Sequence, residues 1–225
     1  MPDPGHKKCR AHRSGKGLLL LGVTGGIASG KTTVANMLEA LGAPIIDFDL
    51  LAREVVQPGK PAWKEIVDYF GRQVLLEDGG LDRACLSRVV FRDMEKRRKL
   101  EGFTHPRILK EFTSMVDKIT GQRPDSIIQA VIPLLFEVNL QGLVHEVLVV
   151  YVPRAKQVER LCARDGIDGN EACDRLSAQL PIEEKVKYAD FVIHNQASLE
   201  ATAKQVELLW EDLRRLQSRG FKPKA

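Results

Sequence analysis

Gly25-Gly26-Ile27-Ala28-Ser29-Gly30-Lys31-Thr32 fits the spacing G-x-x-x-x-G-K-[ST] without a gap. Glycines at both ends let the backbone fold tightly, so that consecutive N–H groups converge on phosphate oxygens. Lys31 is placed to reach the β- and γ-phosphates, and the Thr32 hydroxyl to ligate Mg²⁺. Thr33, one residue on, belongs to the same nucleotide-contacting turn. A chance glycine turn is the plain alternative, and the flanking sequence argues against it. The apolar run Leu18–Val23 precedes the loop and suits a buried strand; residues 32–41 follow with a helical pattern. Strand, loop and helix N-terminus together form an anion site favoured by the helix dipole.

A second group of chemically capable residues is Ile45-Ile46-Asp47-Phe48-Asp49, where an apolar strand ends in two carboxylates. Ligands of open α/β sheets bind outside the carboxyl ends of strands. Transfer of phosphate to an alcohol needs a carboxylate that orients the hydroxyl and accepts its proton, and acidic groups near Mg²⁺. Asp49 also suits a helix cap before Leu50-Leu51-Ala52-Arg53. Arg53 stands four residues after Asp49, which fits an exposed ion pair and equally fits a contact to a substrate phosphate. Arg160, Arg164 and Arg175 are either solvated surface groups or guanidinium groups that close over transferring phosphate. Arg160 and Arg164 share a helix face, and Gly166 permits a hinge after them. His105, before Pro106 at an expected helix start, reads as a capping residue ahead of a general base.

Two absences narrow the class. The strand Ile127–Ile132, taken as the central one, has no acidic residue at its end, and Glu137 comes several residues later. This disfavours ATP-driven motors and GTP switches, and no N-K-x-D guanine reader occurs.

These residues need a scaffold, and the pattern supplies one. Five β-rich runs, Leu18–Val23, Ala43–Asp47, Ser126–Ile132, Glu146–Val152 and Asp190–Ile193, alternate with helical stretches. Continuous apolar runs suit strands covered on both faces, and the alternation predicts a parallel sheet with right-handed crossovers. The fold class expected is α/β: a P-loop NTPase-type parallel five-stranded sheet flanked by helices, with a helical insertion and a small lid. Pro61 opens a predicted helix over 61–70 with Ala62, Trp63, Ile66, Val67 and Phe70 on one face, and Gly71 stops it. A last helix over about 198–217 places Leu199, Ala203, Val206, Trp210 and Leu213 in a core stripe.

The 225 residues suffice for one domain with a sizeable core. The net charge of +4 fits an anionic small ligand without requiring nucleic acid. Cys9, Cys85, Cys162 and Cys173 lack metal spacing and read as reduced thiols of a cytoplasmic protein. No apolar run reaches membrane-spanning length, so no membrane is expected.

The motif series resembles the dephospho-coenzyme A kinases over about Leu18 to Leu216. The matching elements occur in family order: the phosphate loop, Ile46-Asp47-Phe48-Asp49 with Ala52-Arg53, Val55–Gly59, Asp78-Gly79-Gly80-Leu81-Asp82-Arg83, His105-Pro106, Pro133-Leu134-Leu135-Phe136-Glu137, Arg160–Gly166 and Ala189–Asn195. The loop alone specifies only a nucleotide-binding superfamily; the later motifs carry the specificity. The resemblance implies ATP-dependent phosphorylation of the ribose 3′-hydroxyl of dephospho-coenzyme A, with Mg²⁺ as cofactor and ATP as co-substrate. It implies Asp49 as base, Asp47 on the metal side, Arg164 as a lid phosphate contact, and Asn195 beside adenine. Arg53, Arg83 and His105 fall on the acceptor side. Two departures stand out: Ala28 replaces a usual loop glycine, and His145 stands where an acidic residue is common.

The organisation expected from this is a disordered basic extension over 1–16, a single kinase domain over 17–217, and a frayed tail over 218–225. Within the domain the nucleotide core covers 17–49 and 126–217, the acceptor-binding insertion 50–125, and the lid about 160–188. The rivals are a kinase for another small alcohol, such as shikimate, gluconate or a nucleoside, and a nucleotide-dependent switch without transfer chemistry.

Overall fold

The computed structural model describes residues 17–219. The basic extension over 1–16 and residues 220–225 of the expected tail lie outside them. The chain divides into two compact units, one of residues 1–46 and 119–225 and the other of residues 47–118.

The first unit is built on five strands: β1 (Leu19–Gly25), β2 (Ile45–Asp47), β3 (Ile127–Val131), β4 (Glu146–Tyr151) and β5 (Phe191–His194). They form one parallel sheet in the order β2-β3-β1-β4-β5. All five expected strands are present, with ends shifted by a residue or two. The centre differs from expectation. β1, not the 127–132 strand, occupies the middle, pairing with β3 through Leu21↔Gln129 and with β4 through Val23↔Leu148. Every residue of β1 is buried, so the strand that feeds the glycine loop is enclosed along its whole length.

Alternation sends Leu19, Leu21 and Val23 to one face. There they pack with Val34 and Leu38 of α1 (Lys31–Ala40) and with Val206, Leu209 and Leu213 of a C-terminal helix spanning Leu199–Arg219. The C-terminal helix runs through Ser218 and Arg219, two residues beyond its expected end. Its core face is Thr202, Val206, Leu209 and Leu213; Leu199, expected in the stripe, is 62% exposed. One turn of register accounts for the difference, since Leu199 opens the helix before its inward face has begun.

Between β4 and β5 lie three short helices, over Arg154–Asp165, Gly169–Ser177 and Ile182–Lys187. Lys185 in the last is fully buried. Its Nζ meets Glu137 Oε1 at 2.8 Å and donates to the Pro133 carbonyl at 3.2 Å. Thr24 Oγ1 donates to the same carbonyl at 3.2 Å, and the Leu180 N–H donates to Glu137 Oε1 at 3.0 Å. Glu137, which missed the strand end in sequence, is thus the counterion that makes a buried ammonium tolerable. Deleting one partner of such a pair leaves an uncompensated charge, at about 3–5 kcal/mol.

The second unit holds the four helical segments expected between Asp47 and Ser126, in chain order: α2 (Phe48–Glu54), α3 (Pro61–Phe70), α4 (Arg83–Arg92) and α5 (Met94–Gln122), the last continuing past the unit boundary. Numbering the helices of the first unit after these gives α6 (Arg154–Asp165), α7 (Gly169–Ser177), α8 (Ile182–Lys187) and α9 (Leu199–Arg219). Ile66, Phe70, Val74 and Leu86 form the centre of the second unit, with Leu100 and Phe103 packed on them. Gly71 ends α3 at φ 83, a left-handed position that glycine adopts without a Cβ penalty.

His105 and Pro106 do not begin a helix; they sit inside the 29-residue α5. A proline there removes one N–H and crowds the carbonyl four residues back. That residue is Gly102, where even an added Cβ would meet nothing within 4 Å. Neighbouring carbonyls take side-chain donors instead. Thr104 Oγ1 donates to Leu100 O at 2.9 Å, and Arg107 donates to Phe103 O while holding Glu65 of α3 in a two-pronged pair at 2.9 Å. The helix thus runs through a residue that in sequence reads as a boundary.

Just before β4 and beside the central strand, His145 Nδ1 accepts the Leu20 N–H at 2.8 Å, and the His145 N–H donates to Leu20 O at 2.8 Å. An acceptor nitrogen must be unprotonated, and burial holds the ring below its ordinary value of 6.5. The unfolded chain therefore takes up the proton first, so this contribution to stability is whole above about pH 6.5 and is lost as the pH falls below it. Thermal unfolding followed between pH 7.5 and 5.5 is expected to show a smaller acid loss in His145→Asn, whose amide oxygen accepts the same bond without titrating. Equal acid sensitivity in both proteins would exclude His145 as the titrating group.

Candidate active site

β1 runs two residues further than expected and ends inside the motif at Gly25. The next residues turn tightly, with the Ser29 N–H donating to Gly26 O at 3.3 Å, and α1 begins at Lys31. Side chains are excluded where the backbone crowds. A Cβ on Gly25 would lie 2.5 Å from the Val150 carbonyl oxygen, and one on Gly26 would lie 2.4 Å from Gln157 Oε1. Gly30 sits at φ 85. Ala28, the departure from glycine, is held at φ 58, a left-handed backbone that costs about 1–2 kcal/mol for an alanine. The loop therefore keeps the glycine conformation with a Cβ present, and Ala28 packs on the cluster of Leu161, Ala172 and Leu176.

Lys31 Nζ donates to the carbonyls of Gly25 at 3.2 Å and Gly26 at 2.8 Å, so the ammonium lies across the mouth of the loop. Thr32 is exposed in the first turn of α1 and Thr33 half-buried beside it. Ser29 Oγ is buried in the loop and has no hydrogen-bond partner among the described residues. These residues open onto a cleft of about 460 Å³ lined by Ala28 to Thr33, Arg160, Arg164, Asn195, Ala197 and Leu199. All of it belongs to the first unit.

Two of the three candidate arginines reach this cleft and one does not. Arg160 donates through Nη2 to Asn195 O at 2.8 Å. Arg164, with its side chain 60% exposed, donates from Nε to Asp165 Oδ1 at 2.7 Å and from Nη2 to Oδ2 at 3.2 Å. Arg175 stands behind, holding Asp165 Oδ2 at 2.8 Å and Glu171 at 2.7 Å. Hydrogen bonding to Asp165 raises the Arg164 pKa, and hydrogen bonding from Arg164 lowers that of Asp165, so both stay charged. Because Arg175 also serves Asp165, Arg164 can turn to an anion without leaving that carboxylate unpaired. Gly166 follows in the left-handed conformation, at φ 67, and closes α6.

Asn195 is buried, and its side chain is engaged within the protein: Nδ2 donates to Ser29 O at 2.9 Å, and Oδ1 accepts from Thr202 Oγ1 at 2.9 Å. It borders the cleft while holding the loop. Sequence reasoning missed Thr202, Gln157, Ala197 and Leu199. Gln157 is buried under Gly26 and donates to Val152 O at 2.6 Å. A buried glutamine and threonine on otherwise amphipathic helices are the only trace they leave in sequence.

The remaining candidates belong to the second unit and are described there. Asp47 ends β2, and its Oδ1 accepts the N–H groups of Asp49 at 2.8 Å and Leu50 at 3.3 Å. The helix cap that sequence assigned to Asp49 thus belongs to Asp47, because an N-cap precedes the first helical residue and α2 begins at Phe48. Asp49 is exposed in the first turn. Arg53 is exposed in the last turn of α2, and an Asp49–Arg53 ion pair is not found among the described residues. Arg83 is exposed as the first residue of α4, after Asp82, which caps that helix through Cys85 N at 2.9 Å. His105 is exposed on α5.

The family model for dephospho-CoA kinase matches residues 19–201. The chain belongs to the dephospho-CoA kinase family. Among curated members of that family, the protein of Carboxydothermus hydrogenoformans is 48% identical over 189 residues, covering 84% of this chain and 91% of its own. That of Geobacter metallireducens is 47% identical over 196 residues, covering 87% and 96%. Among solved structures, a Thermus thermophilus protein superposes with a TM-score of 0.75 at 33% identity, covering 88% of this chain and 99% of its own. The dephospho-CoA kinase of Campylobacter jejuni gives 0.59 at 27% identity, covering 88% and 99%. The family is a kinase family using ATP, and the nucleotide loop of this chain lies within the matched span.

Lys31 donates to the loop carbonyls of Gly25 and Gly26 and is not part of the buried core. Lys31→Ala is therefore expected to leave circular dichroism and the melting curve close to wild type while ADP release in a coupled assay falls nearly to background. Wild-type turnover in the folded variant would remove the loop from the reaction.

Proposed function

We propose that this chain transfers the γ-phosphoryl group of ATP to the ribose 3′-hydroxyl of dephospho-coenzyme A, giving coenzyme A in the last step of its synthesis. The observation that carries this is the glycine-shaped loop bordering a cation-lined cleft in a chain of the dephospho-CoA kinase family. The loop N–H groups and Lys31 take the phosphates. The apolar Ala197 and Leu199 edge, with Asn195, takes the base. Arg164 meets the transferring group as the segment over about 160–188 closes as a lid and excludes water.

Asp49 is the group that orients the acceptor hydroxyl and receives its proton. Arg53, Arg83 and His105, all exposed in the helical unit, serve the acceptor's phosphates and arm. A large acceptor has contacts there that a small alcohol lacks, and this remote binding fixes the hydroxyl for in-line attack. The Thr32 hydroxyl and the Asp47 carboxylate are each donors of the hard-oxygen type Mg²⁺ takes. Asp47 uses Oδ1 as a helix cap and keeps its other oxygen for this purpose. When bound, Mg²⁺ neutralises phosphate charge. We place the reaction in the cytoplasm, where thiols such as Cys85, Cys162 and Cys173, free here, stay reduced.

Two experiments test the reading. Asp49→Asn should lower the turnover number on the order of 10²–10⁴-fold with a smaller change in acceptor KM. Asp47→Asn, which retains the capping oxygen, should leave α2 intact and raise the Mg²⁺ concentration required. The reverse pattern would exchange their roles. Purified protein with MgATP should add one phosphate to dephospho-coenzyme A by mass spectrometry, and act far less on adenosine, shikimate or gluconate. Adenosine offers a reactive hydroxyl without the pyrophosphate and pantetheine arm. Turnover of a small alcohol with none of dephospho-coenzyme A would overturn the assignment.

A further inference from the structure

The peptide between Ser29 and Gly30 is the piece of the cradle whose direction is set from outside the loop. It is trans, as are all described peptide bonds, so its C=O and N–H point in opposite directions. Ser29 O is drawn toward Asn195 Nδ2 at 2.9 Å, and the Gly30 N–H is thereby turned the other way. Among the described residues that N–H has no protein acceptor. The carbonyl on Asn195 therefore aims a donor of the phosphate cradle. Gly30 must also be glycine for this to work: its φ is 85, and a Cβ there would lie 2.1 Å from Asn195 Nδ2.

An amide has two orientations, and only one donates to Ser29. The main chain of Asn195 is fixed by its N–H on Tyr151 O at 2.9 Å and by Arg160 Nη2 on its carbonyl at 2.8 Å, neither of which selects the side-chain orientation. Thr202 does. Its hydroxyl is fully buried on α9, 2.9 Å from Asn195 Oδ1 and 3.2 Å from Ser198 O. The hydroxyl has one proton. Ser29 O accepts only, so the Asn195 atom facing it must be the NH₂ group and the atom facing Thr202 must be the oxygen. The Thr202 proton then belongs to Asn195. With the hydroxyl gone, the amide keeps Ser29 O at one end but loses the donor that anchors its oxygen at the other.

We infer that Thr202 is a positioning residue for nucleotide binding, acting through the Asn195 amide and the Ser29 carbonyl to aim the Gly30 N–H at phosphate. This assignment rests on the loop being the ATP cradle. Thr202 touches no part of the cleft itself, and the chain Thr202–Asn195–Ser29 carries the effect across from the last helix.

The experiment compares Thr202→Val, which keeps shape and loses the donor, with Thr202→Ser, which keeps the donor. MgATP affinity is measured by titration calorimetry, alongside KM for ATP, KM for the acceptor and the melting temperature. A net neutral hydrogen bond corresponds to an affinity change of about three- to tenfold. Thr202→Val should weaken MgATP by that factor with acceptor KM within about twofold of wild type, and Thr202→Ser should restore affinity. Asn195→Asp is the second variant, placing an acceptor against Ser29 O; it should weaken MgATP at least as much. The double variant should lose no more than the worse single one, because both act on one contact. A lowered melting temperature with unchanged MgATP affinity in Thr202→Val would reduce Thr202 to a packing role and overturn the inference. Should that variant not fold, unchanged affinity in Asn195→Asp overturns it equally. Failure of the wild type to bind MgATP would instead overturn the ATP cradle first.

Discussion

A cradle for phosphate works only if several backbone N–H groups point into one space that no side chain enters. Everything near the loop of this protein serves that condition. β1 lies at the centre of the sheet, buried along its whole length, so the point from which the loop departs is fixed on both sides by hydrogen-bonded neighbours. Backbone from β4 and Gln157 from α6 then press so close that Gly25 and Gly26 have no room for a Cβ. The Ser29 carbonyl is held by the Asn195 amide, and Ala28 tolerates a backbone that most residues avoid. The pattern of glycines is the negative image of these neighbours.

Charges in the molecule fall into two kinds. Lys185 is buried and paired with the half-buried Glu137, the lysine shared by the Pro133 carbonyl, and they tie α8 to the turn after β3. Their contribution is to specify one arrangement, since burying a pair returns little net stability beyond its desolvation. Lys31, Arg160 and Arg164 border the open cleft, where they face solvent and exchange partners at small cost. Arg164 shares Asp165 with Arg175, which leaves a counterion satisfied when Arg164 moves. The same residue types thus act as fasteners where water is excluded and line an open cleft where it is not.

The helical unit shows how local chemistry overrides propensity. Asp47 and Asp82 cap α2 and α4 from the preceding residue, and a two-pronged Arg107–Glu65 pair joins α5 to α3 beside a proline that ordinarily breaks a helix. Thr104 and Arg107 donate side-chain hydrogen bonds to nearby carbonyls. These devices keep Asp49, Arg53, Arg83 and His105 on the surface, free of the core.

The sequence by itself determined the phosphate loop, the five strands, α3 from Pro61 to its stop at Gly71, and the family. Each is written in local spacing: glycines where no Cβ fits, continuous apolar runs where both faces are covered, a helical period where one face is. Tertiary structure alone decided which strand is central, that His105-Pro106 lies within a helix, that Leu199 faces the cleft instead of the core, and that the cap before α2 is Asp47. It also decided that Asn195 holds the loop from Thr202, a residue 173 positions beyond Ser29. Pairing order, helix register at an end and hydrogen bonds between distant segments depend on what the chain meets after it folds. A single threonine or asparagine carries no mark of its partner until the fold has brought the two together.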